Sequence, residues 1–493
     1  MFSVERSIQY FIKNSISIFG EVIGRFYKEP TKIAEFVNGI AAETNRLGIM
    51  LIQETLEEMD RMICDSGKRR LEWTVEQHNR KSLLTSLGNV TFRKTLFENK
   101  KTGEMCYLLD RILGLEKGDR ITEDAEASML EEAVQTSYRR GGEAASLMDH
   151  ASKQTVKTKL HSLRFPEENI PEKKKQVDYL YIEADEDHIA LQFREKKGDL
   201  VTDENGRKQN NAIVKLVYVH EGITPEAPRS RRHKLINPHY FCRTAKGLSN
   251  EAYWKEIYDY INSHYDLGTV KKIYVNSDGG GWIHSGLRQF KGMVHVLDGY
   301  HLEKSISCLV NHMKDSAGDA RDAVYRVIRK GTKQGFRDLA AELEGYFPEG
   351  NVPKKFTESA AFILGNWTAA RCRLVKMEGV IGSSTEGHVS HVLANRMSTQ
   401  AMGWSFTGAD KMAQLRAYYL NGGDMLELVR FQKQELPKAA GAEGQIFSAE
   451  EMIRQDRKMH SNGILGKYYD AIRHSICVED KKKIWFQSHI WGL

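Results

Sequence analysis

Three acidic side chains stand where rigid elements could bring them to one point. Asp185 follows the β-prone apolar run 177–184, Asp278 follows a second such run and precedes three glycines, and Glu386 lies where a helix begins. Hard divalent cations prefer oxygen ligands, and two-metal phosphodiester transfer needs carboxylates that converge on the attacked phosphate. We therefore expect these residues to be the catalytic metal ligands for two Mg²⁺ or Mn²⁺ ions.

Each of these residues also has an ordinary structural explanation. Aspartate is favoured in turns between strands, which could account for Asp185. A glycine-rich turn could account for Asp278, and the helix dipole favours an acidic residue in a first turn, which could account for Glu386. The functional interpretation depends on the occurrence of all three together.

The region from residue 176 to 300 contains the elements that would position the carboxylates. The patterns predict, in order, strands at 177–184, 188–193 and 212–219 with a polar turn near Asn205-Gly206, a helix at 249–265, a strand at 270–275, a short helix, and a strand at 293–297. This order is typical of the ribonuclease-H-like fold. That fold holds one carboxylate on its first strand, one after its fourth and one on its final helix.

The length of 493 residues exceeds the roughly 100–200 residues usual for one domain, so we expect a multidomain α+β or α/β chain. A Pro- and Lys-rich stretch at 165–175 predicts a linker. The predicted domains are an N-terminal helical, hairpin and helix-turn-helix DNA-binding region at 1–165, the first part of a ribonuclease-H-like catalytic core with a mixed sheet at 176–300, a helical insertion at 301–375, the final helix of the core at 376–425, and a C-terminal tail at 426–493.

The N-terminal region shows two kinds of periodicity. Apolar residues recur at helical spacing from Thr31 to Met62, which predicts one or two amphipathic helices that form an entry or oligomerisation element. The β-prone segment 83–109 predicts a hairpin with a polar turn at 99–103, and a helix resumes near Thr122.

The segment Ser137–Leu163 has the pattern of a helix-turn-helix. Gly141–Met148 would form the first helix, 149–151 the turn, and Ser152 the N-cap of the second helix. The second helix carries side chains of the types that contact phosphates and base edges in a major groove, namely Lys153, Gln154, Lys157, Thr158 and Lys159. A surface helical hairpin with solvated lysines fits the same pattern.

The charge balance permits a polyanionic partner without requiring one. Lys and Arg number 72 against 66 Asp and Glu, a net charge of +6. Cationic side chains concentrate in the loop 229–234, which includes Arg231 and Arg232, and in the insertion at Arg326, Arg329, Lys330, Lys333 and Arg337. Such residues neutralise phosphates and make binding salt-dependent, although a solvated surface would have the same composition.

Cysteine usage and hydropathy argue against several classes of protein. The six cysteines are scattered singly, without the CxxC pairs of a zinc ribbon or a disulfide framework, so a reducing cytoplasm is the expected compartment. The first 27 residues mix apolar and charged types and lack the apolar core of a signal peptide or membrane span. We therefore expect no membrane partner.

Four strings resemble landmarks of the ISLre-type insertion-sequence transposases of bacteria, a group akin to Mutator-like transposases. The strings are YIEADEDHIAL, IYVNSDGGGWI, VLDGYHLEK and STEGHVSHVLANRMSTQAMGW, and the resemblance extends over most of the chain to about Trp404. It implies that Asp185, Asp278 and Glu386 are the catalytic Asp-Asp-Glu set. It also implies that Asp298 and His301 form an Asp-x-x-His motif, in which His301 helps to position the DNA strand or the metal site. The alternative for His301 is a helix-start residue bonded to the backbone.

The resemblance implies an enzyme that cuts and rejoins DNA at the ends of an insertion sequence. Its partners would be double-stranded DNA, as terminal inverted repeats and as target, and a homo-oligomer would bring two ends together. Two alternatives remain open at this point. One is a structure-specific nuclease of the same fold, and the other is a DNA-binding regulator without catalysis.

Overall fold

The chain is a mixed α/β protein in which many helices accompany a mixed β-sheet. A computed structural model describes residues 5–193, 196, 198, 200–202, 206, 208–230, 232–245, 248–290, 292–348, 351–375, 377–400 and 402–434. The described residues fall into two compact units, one drawn from Met1–Val156 and Met425–Leu493 and the other from Lys157–Asp424. The domain boundaries predicted from the sequence stay predictions.

The elements are numbered along the chain. The helices are α1 (Glu5–Tyr10), α2 (Ile16–Lys28), α3 (Ile33–Asp65), α4 (Gly67–Glu72), α5 (Leu108–Ile112), α6 (Glu123–Gln135), α7 (Tyr138–Ala144), α8 (Lys153–Ser162), α9 (Asn250–His264), α10 (Gly281–Gln289), α11 (Gly299–Val310), α12 (Ala317–Lys330), α13 (Lys333–Glu344), α14 (Lys354–Gly365), α15 (Trp367–Val375), α16 (Thr385–His388), α17 (Asn395–Met397), α18 (Phe406–Leu420) and α19 (Met425–Gln434). Phe11–Ser15 and Val389–Ala394 form π-helices, and Asn311–Ser316 forms a 3₁₀-helix. The strands are β1 (Trp73–Leu84), β2 (Asn89–Asn99), β3 (Met105–Cys106), β4 (Tyr179–Ala190), β5 (Val201–Thr202), β6 (Lys208–Gln209), β7 (Asn211–His220), β8 (Ile223–Pro225), β9 (His233–Leu235), β10 (His239–Thr244), β11 (Lys272–Ser277) and β12 (Met293–Leu297).

The first unit is built around the long helix α3 and the antiparallel pair β1–β2. The helix predicted from Thr31 to Met62 is confirmed as α3. The polar turn predicted at 99–103 is also confirmed, and there Asn99 Oδ1 accepts main-chain N–H groups between β2 and β3. The predicted hairpin starts too late, because β1 already begins at Trp73 and pairs with β2 along its whole length. Residues 74–78 of β1 are exposed, so no apolar alternation marks that part of the strand in the sequence.

The helix pair α7–α8 corresponds only partly to the predicted helix-turn-helix. Helix α8 is confirmed, with the Ser152 hydroxyl accepting the N–H of Thr155 at 3.1 Å. The first helix was predicted at 141–148, but α7 covers Tyr138–Ala144 because Ser137 caps it three residues earlier than expected. Gly142 lies so close to the chain after α7 that a Cβ there would be 2.2 Å from the carbonyl oxygen of Ala151.

The second unit contains a five-stranded sheet with the order β10-β7-β4-β11-β12. Strand β7 is antiparallel to both of its neighbours, β10 and β4, whereas β4, β11 and β12 are mutually parallel. The short helix α10 and strands β11 and β12 appear where they were predicted, with β12 at the predicted residues.

Two strand predictions in this sheet are wrong. The separate strands predicted at 177–184 and 188–193 are one strand, β4, because its pairing with β7 continues without a break from Tyr181↔His220 to Ala190↔Asn211. The third strand of the antiparallel part is β10, which the sequence did not indicate. It is only six residues long, and its buried residues Phe241, Cys242 and Thr244 do not alternate with exposed polar ones.

Two layers of helices cover the sheet. Helices α9 and α10 pack on the face that presents Leu180, Ile182 and Ala184, and the Ser249 hydroxyl caps α9 by accepting the N–H of Ala252 at 3.1 Å. The predicted helical insertion consists of α11–α15, which share a core of their own that includes Phe336. None of the described helices combines the length and apolar character needed to cross a membrane.

The contact between α10 and α9 gives a test of this packing. A Cβ on Gly286 would lie 2.1 Å from the indole of Trp254, so Gly286→Ala should lower the free energy of unfolding by about 1–3 kcal/mol through overpacking. Gly318→Ala is the control, since this helical glycine has nothing within 4 Å of its Cβ position. Urea unfolding followed by circular dichroism should show a lower midpoint for Gly286→Ala alone, and equal midpoints would contradict the packing.

Candidate active site

Three aspartates form one row at the level where the parallel pairing of β4, β11 and β12 ends. Ala184 of β4 pairs with Ser277 of β11, which in turn pairs with Leu297 of β12. The next residue along each of the three chains is an acid: Asp185, Asp278 and Asp298. Since residues in parallel register point to the same face, and Ala184 packs on the α9 face, the three aspartates belong to the opposite face.

The first two aspartates of this row are oriented by main-chain groups. Asp185 Oδ1 accepts the N–H of Glu186 at 2.8 Å, and Asp278 Oδ1 accepts the N–H of Gly280 at 2.9 Å. The pairing of β4 with β7 continues past Asp185, so Asp185 lies inside the strand. The prediction that Asp185 follows the end of a strand is wrong. The turn after Asp278 requires Gly279, whose φ is +83° and whose Cβ would lie 2.4 Å from the Asn366 side chain.

The third aspartate is paired with His301 at the start of α11. Asp298 Oδ2 accepts both the main-chain N–H of His301 and its ring Nδ1–H, each at 3.1 Å. This bond raises the pKa of His301, and the negative charges of Asp298, Asp278 and Asp185 add to the effect. Burial alone would raise the pKa of Asp298, but the hydrogen bonds from His301 and Ser383 outweigh it and hold that pKa below its usual value. His301 thus is a helix-start residue, and its ring also experiences the field of the other two aspartates.

A segment at 378–385, here called the return segment, brings the chain back from the helical insertion to the sheet. Its main-chain carbonyl groups accept tyrosine hydroxyls of two strands. Tyr181 donates to the carbonyl of Gly379 at 2.7 Å, and Tyr274 donates to the carbonyl of Glu378 at 2.5 Å. Tyr179 donates to the carboxylate of Glu378 at 2.8 Å. These bonds fix the start of the return segment against β4 and β11.

Arg373, at the end of α15, joins the insertion, the sheet and the return segment. Its guanidinium donates to the carbonyl of Leu297 at 2.9 Å, to the carbonyl of Ile381 at 2.6 Å and to the side chain of Asn276 at 2.8 Å. Burial lowers the pKa of Arg373, and the nearby charges of Asp298 and Glu183 partly offset that effect. The guanidinium therefore supplies positive charge near Asp298 and Glu183.

Glu183 lies two residues before Asp185 on the same face and is fully buried. Its Oε2 accepts the hydroxyl of Tyr218 at 2.6 Å, the hydroxyl of Thr385 at 2.8 Å and the N–H of Ser384 at 2.9 Å. Burial by itself would raise the pKa of Glu183, but the facing His220 and the donated hydrogen bonds outweigh it, so this pKa lies below its usual value. The charged carboxylate holds the end of the return segment.

Glu386 follows directly after these anchored residues. Its main chain belongs to the first turn of α16, as predicted, and its side chain lies outside the described part of the structure. Among the described side chains, no three His, Cys, Asp or Glu are arranged to hold a metal ion. The main chain of Glu386 is held through the start of α16, where Glu183 accepts hydrogen bonds from Ser384 and Thr385.

The predicted DNA-contact residues lie on other elements. Helix α8 buries Val156 and Leu160 and exposes four of the five predicted positions, Lys153, Gln154, Lys157 and Thr158, whereas Lys159 is half-buried. The cationic segment 229–234 follows the strand predicted at 212–219, which is β7, and runs from the turn after β8 into β9. Arg232 is exposed there, and Arg231 lies outside the described residues.

The residues that hold the site together were not predicted from the sequence. Glu183, Arg373 and the tyrosine hydroxyls were not identified. One signal was available for part of this set, because Tyr179, Tyr181, Glu183 and Asp185 alternate along one strand and must share a face. No comparable pattern marks Arg373, since its partners are main-chain groups remote in sequence.

The chain belongs to the Uncharacterised protein family UPF0236, whose model matches residues 27–435. It is similar to UPF0236 protein TTE2489 of Caldanaerobacter subterraneus subsp. tengcongensis, with 33% identity over 421 residues that cover 85% of this chain and 84% of that protein. A second protein of that organism is 32% identical, with 85% and 83% covered, and its name joins eleven TTE designations. Among solved structures, a chain of the "Drosophila P element transposase strand transfer complex" matches with 11% identity, 74% and 89% coverage and a TM-score of 0.21, which is too low to indicate a shared fold.

The His301–Asp298 pair predicts a pH dependence. The folded protein binds the His301 proton more tightly than the unfolded chain, whose histidine pKa is about 6.5. The pair therefore contributes stability that is fully present below about pH 6.5 and is lost as the pH rises through the raised pKa. NMR titration of labelled histidines without metal should place His301 above the ordinary value. Asp298→Asn should lower its pKa, and an unchanged titration in that variant would contradict the assigned cause.

Proposed function

We propose that this protein is a DNA transposase that cuts DNA at the ends of an insertion sequence and joins the cut ends to a target. The observation that carries the proposal is the row of Asp185 and Asp278 on adjacent parallel strands, with the helix of Glu386 anchored on the same face. This arrangement gives each predicted carboxylate a rigid support. Phosphodiester chemistry with two metal ions requires such convergence.

The topology of the sheet supports a ribonuclease-H-like core. Numbered by their order in the chain, the five strands of the sheet have the spatial order 3-2-1-4-5, and only the second strand is antiparallel to the first. The first carboxylate belongs to the first strand and the second follows the fourth strand. These are the positions that the ribonuclease-H-like interpretation of the sequence requires.

The three predicted carboxylates are suitable ligands for hard divalent cations. Asp185 and Asp278 would hold Mg²⁺ or Mn²⁺ together with Glu386, and their oxygens are the donors that such ions prefer. The fit is supported by the strand register, which places Asp185 and Asp278 directly after paired residues of two adjacent parallel strands. The two bound ions would supply an activated nucleophile and stabilisation of the leaving oxygen. His301, held by Asp298, would present a positively charged ring towards a DNA phosphate.

Double-stranded DNA is the proposed partner, both as terminal inverted repeats and as target. The exposed lysines of α8 and the exposed Arg232 are suited to phosphate contacts. In the insertion, Arg326, Arg329, Lys330, Lys333 and Arg337 are all exposed, which forms a further cationic surface. A homo-oligomer would bring two DNA ends together.

The second candidate function is a nuclease that cuts without joining, and the third is a regulator that binds DNA without catalysis. One comparison favours transposition over both. A name that joins eleven designations is expected for a protein whose gene occurs in several copies, and a mobile element multiplies its own gene within a genome. Neither a nuclease nor a regulator requires such multiplication.

Replacement of Asp278 by Asn tests the catalytic proposal. Asparagine keeps the size of the side chain and an oxygen that can accept the Gly280 N–H, but it removes the negative charge. DNA cleavage with Mn²⁺ and the joining of pre-cut ends should fall to background, while DNA affinity stays unchanged in a gel-shift assay. Asp178→Asn is the matched control, because Asp178 precedes β4 and forms an exposed ion pair with Lys271, the residue before β11.

The outcomes of this assay separate the candidates. Wild-type protein that cuts its flanking DNA but never joins pre-cut ends would be a nuclease. Wild-type protein that binds DNA without cutting it, and whose cellular function survives Asp278→Asn, would be a regulator. Either result would overturn the proposal of a transposase.

The lysines of α8 predict the salt dependence of DNA binding. If Lys153 and Lys157 each contact a phosphate, the double change to alanine should reduce the slope of log affinity against log salt by about 1.8, since each contact contributes roughly 0.9. Lys255 and Lys354 form the control pair, because each is engaged with an acidic residue four positions along its own helix. A slope that falls equally in both double variants would remove α8 from the DNA interface.

A further inference from the structure

A buried carboxylate outside the predicted catalytic set connects the strand of Asp185 with the helix of Glu386. Glu183 has no exposed surface, and its Oε2 receives donors from two separate parts of the chain. Tyr218 of β7 is one source, and the residues Ser384 and Thr385 are the other. The link spans 202 residues between Glu183 and Thr385.

The contacts at Glu183 are directed at the point where α16 begins. The Ser384 N–H, one residue before the helix, donates at 2.9 Å, and the Thr385 hydroxyl, on the first helical residue, donates at 2.8 Å. The Ser383 hydroxyl donates to Thr385 or accepts from it at 2.6 Å and lies 3.3 Å from the same carboxylate oxygen. A negative charge at a helix N-terminus also interacts favourably with the helix dipole.

The surroundings of Glu183 make an alternative conformation costly. An ionised carboxylate without hydrogen bonds is strongly unfavourable in a buried position, so removal of the donors would leave an uncompensated charge. The other oxygen, Oε1, faces His220 Nε2 at 3.4 Å, and both atoms are fully buried. The His220 ring is itself stacked at 5.2 Å on Tyr181, which binds the return segment. Every side of the carboxylate is therefore in contact with an element that supports the site.

We propose that Glu183 is a positioning residue that fixes the N-terminal end of α16 on β4 and thereby sets the place of Glu386 relative to Asp185. This inference rests on the proposed function of the three carboxylates. It assigns a part in metal binding to a residue that would itself contact neither the ions nor the DNA. The hydroxyls of Thr385 and Tyr218 share this part, because they donate shorter hydrogen bonds to Glu183 than the hydroxyls of Ser383 and Ser384 do.

The test uses the full chain with substitutions on both sides of the hydrogen bonds. Glu183→Gln removes the charge, Thr385→Val and Tyr218→Phe each remove one donor, and Thr385→Ser retains the hydroxyl. Tyr240→Phe is the matched control for Tyr218→Phe, because Tyr240 lies 5.5 Å from the Tyr218 ring and is not among the donors to Glu183. Three properties are measured: amide hydrogen exchange of residues 383–388 without metal, binding of Mn²⁺ by electron paramagnetic resonance, and DNA cleavage.

Glu183→Gln, Thr385→Val and Tyr218→Phe should each increase exchange in residues 383–388, by about tenfold where a hydrogen bond to the charged group is lost. They should weaken the binding of the more weakly held Mn²⁺ ion by about 10–100-fold, with a matching loss of cleavage and unchanged DNA affinity. Thr385→Ser and Tyr240→Phe should behave as wild type. If Glu183→Gln fails to fold, Thr385→Val and Tyr218→Phe are sufficient to test the proposal.

Two kinds of failure are distinguishable. A wild-type protein that neither binds Mn²⁺ nor cuts DNA would overturn the proposed function, whatever the exchange data show. A wild-type protein that binds two ions and cuts DNA, combined with unchanged exchange and Mn²⁺ affinity in Thr385→Val and Tyr218→Phe, would overturn the role of Glu183 alone. If Thr385→Val and Thr385→Ser both lose Mn²⁺ affinity and cleavage, the role of Glu183 would also be overturned, because serine retains the hydroxyl.

Discussion

The parallel pairing of β4 with β11 is the constraint on which the candidate site depends. It places Ala184 beside Ser277, so the residues that follow, Asp185 and Asp278, share one face and one level of the sheet. The apolar residues of β4 that pack against α9 hold this register, because a slip by one residue would turn them to the wrong face. The core beneath the sheet and the acidic row on the other face are thus two results of one alignment.

The second requirement is that the chain returns to the sheet after the long helical insertion. Between the row of aspartates and α16 lies the helical insertion α11–α15, which has its own core. Arg373 and the tyrosine hydroxyls attach the return segment to the sheet, and Glu183 attaches its end. Directed hydrogen bonds are suited to this task, since they specify position where apolar packing alone would tolerate a shift.

The sequence predicted those parts of the fold in which burial produces a regular pattern. Strands β11 and β12 and helix α9 were found because apolar residues recur at the period of each element. The break predicted near Asp185 was wrong because polar residues within a strand look like a turn when the partner strand is unknown. For the site, the acidic residues could be proposed from their chemistry, whereas Glu183 and Arg373 act through contacts with segments remote in sequence, which no local pattern records.

The distance along the chain between Glu183 and its donors has a consequence for biosynthesis. The 202 residues that separate Glu183 from Thr385 take roughly 10–40 seconds to translate at about 5–20 residues per second. During that time a nascent chain carries the acidic strand without the groups that compensate its buried charge. A polypeptide released before Ser384 would lack the donors of the return segment permanently. Its sheet would be destabilised, which would make such fragments substrates for cellular proteases.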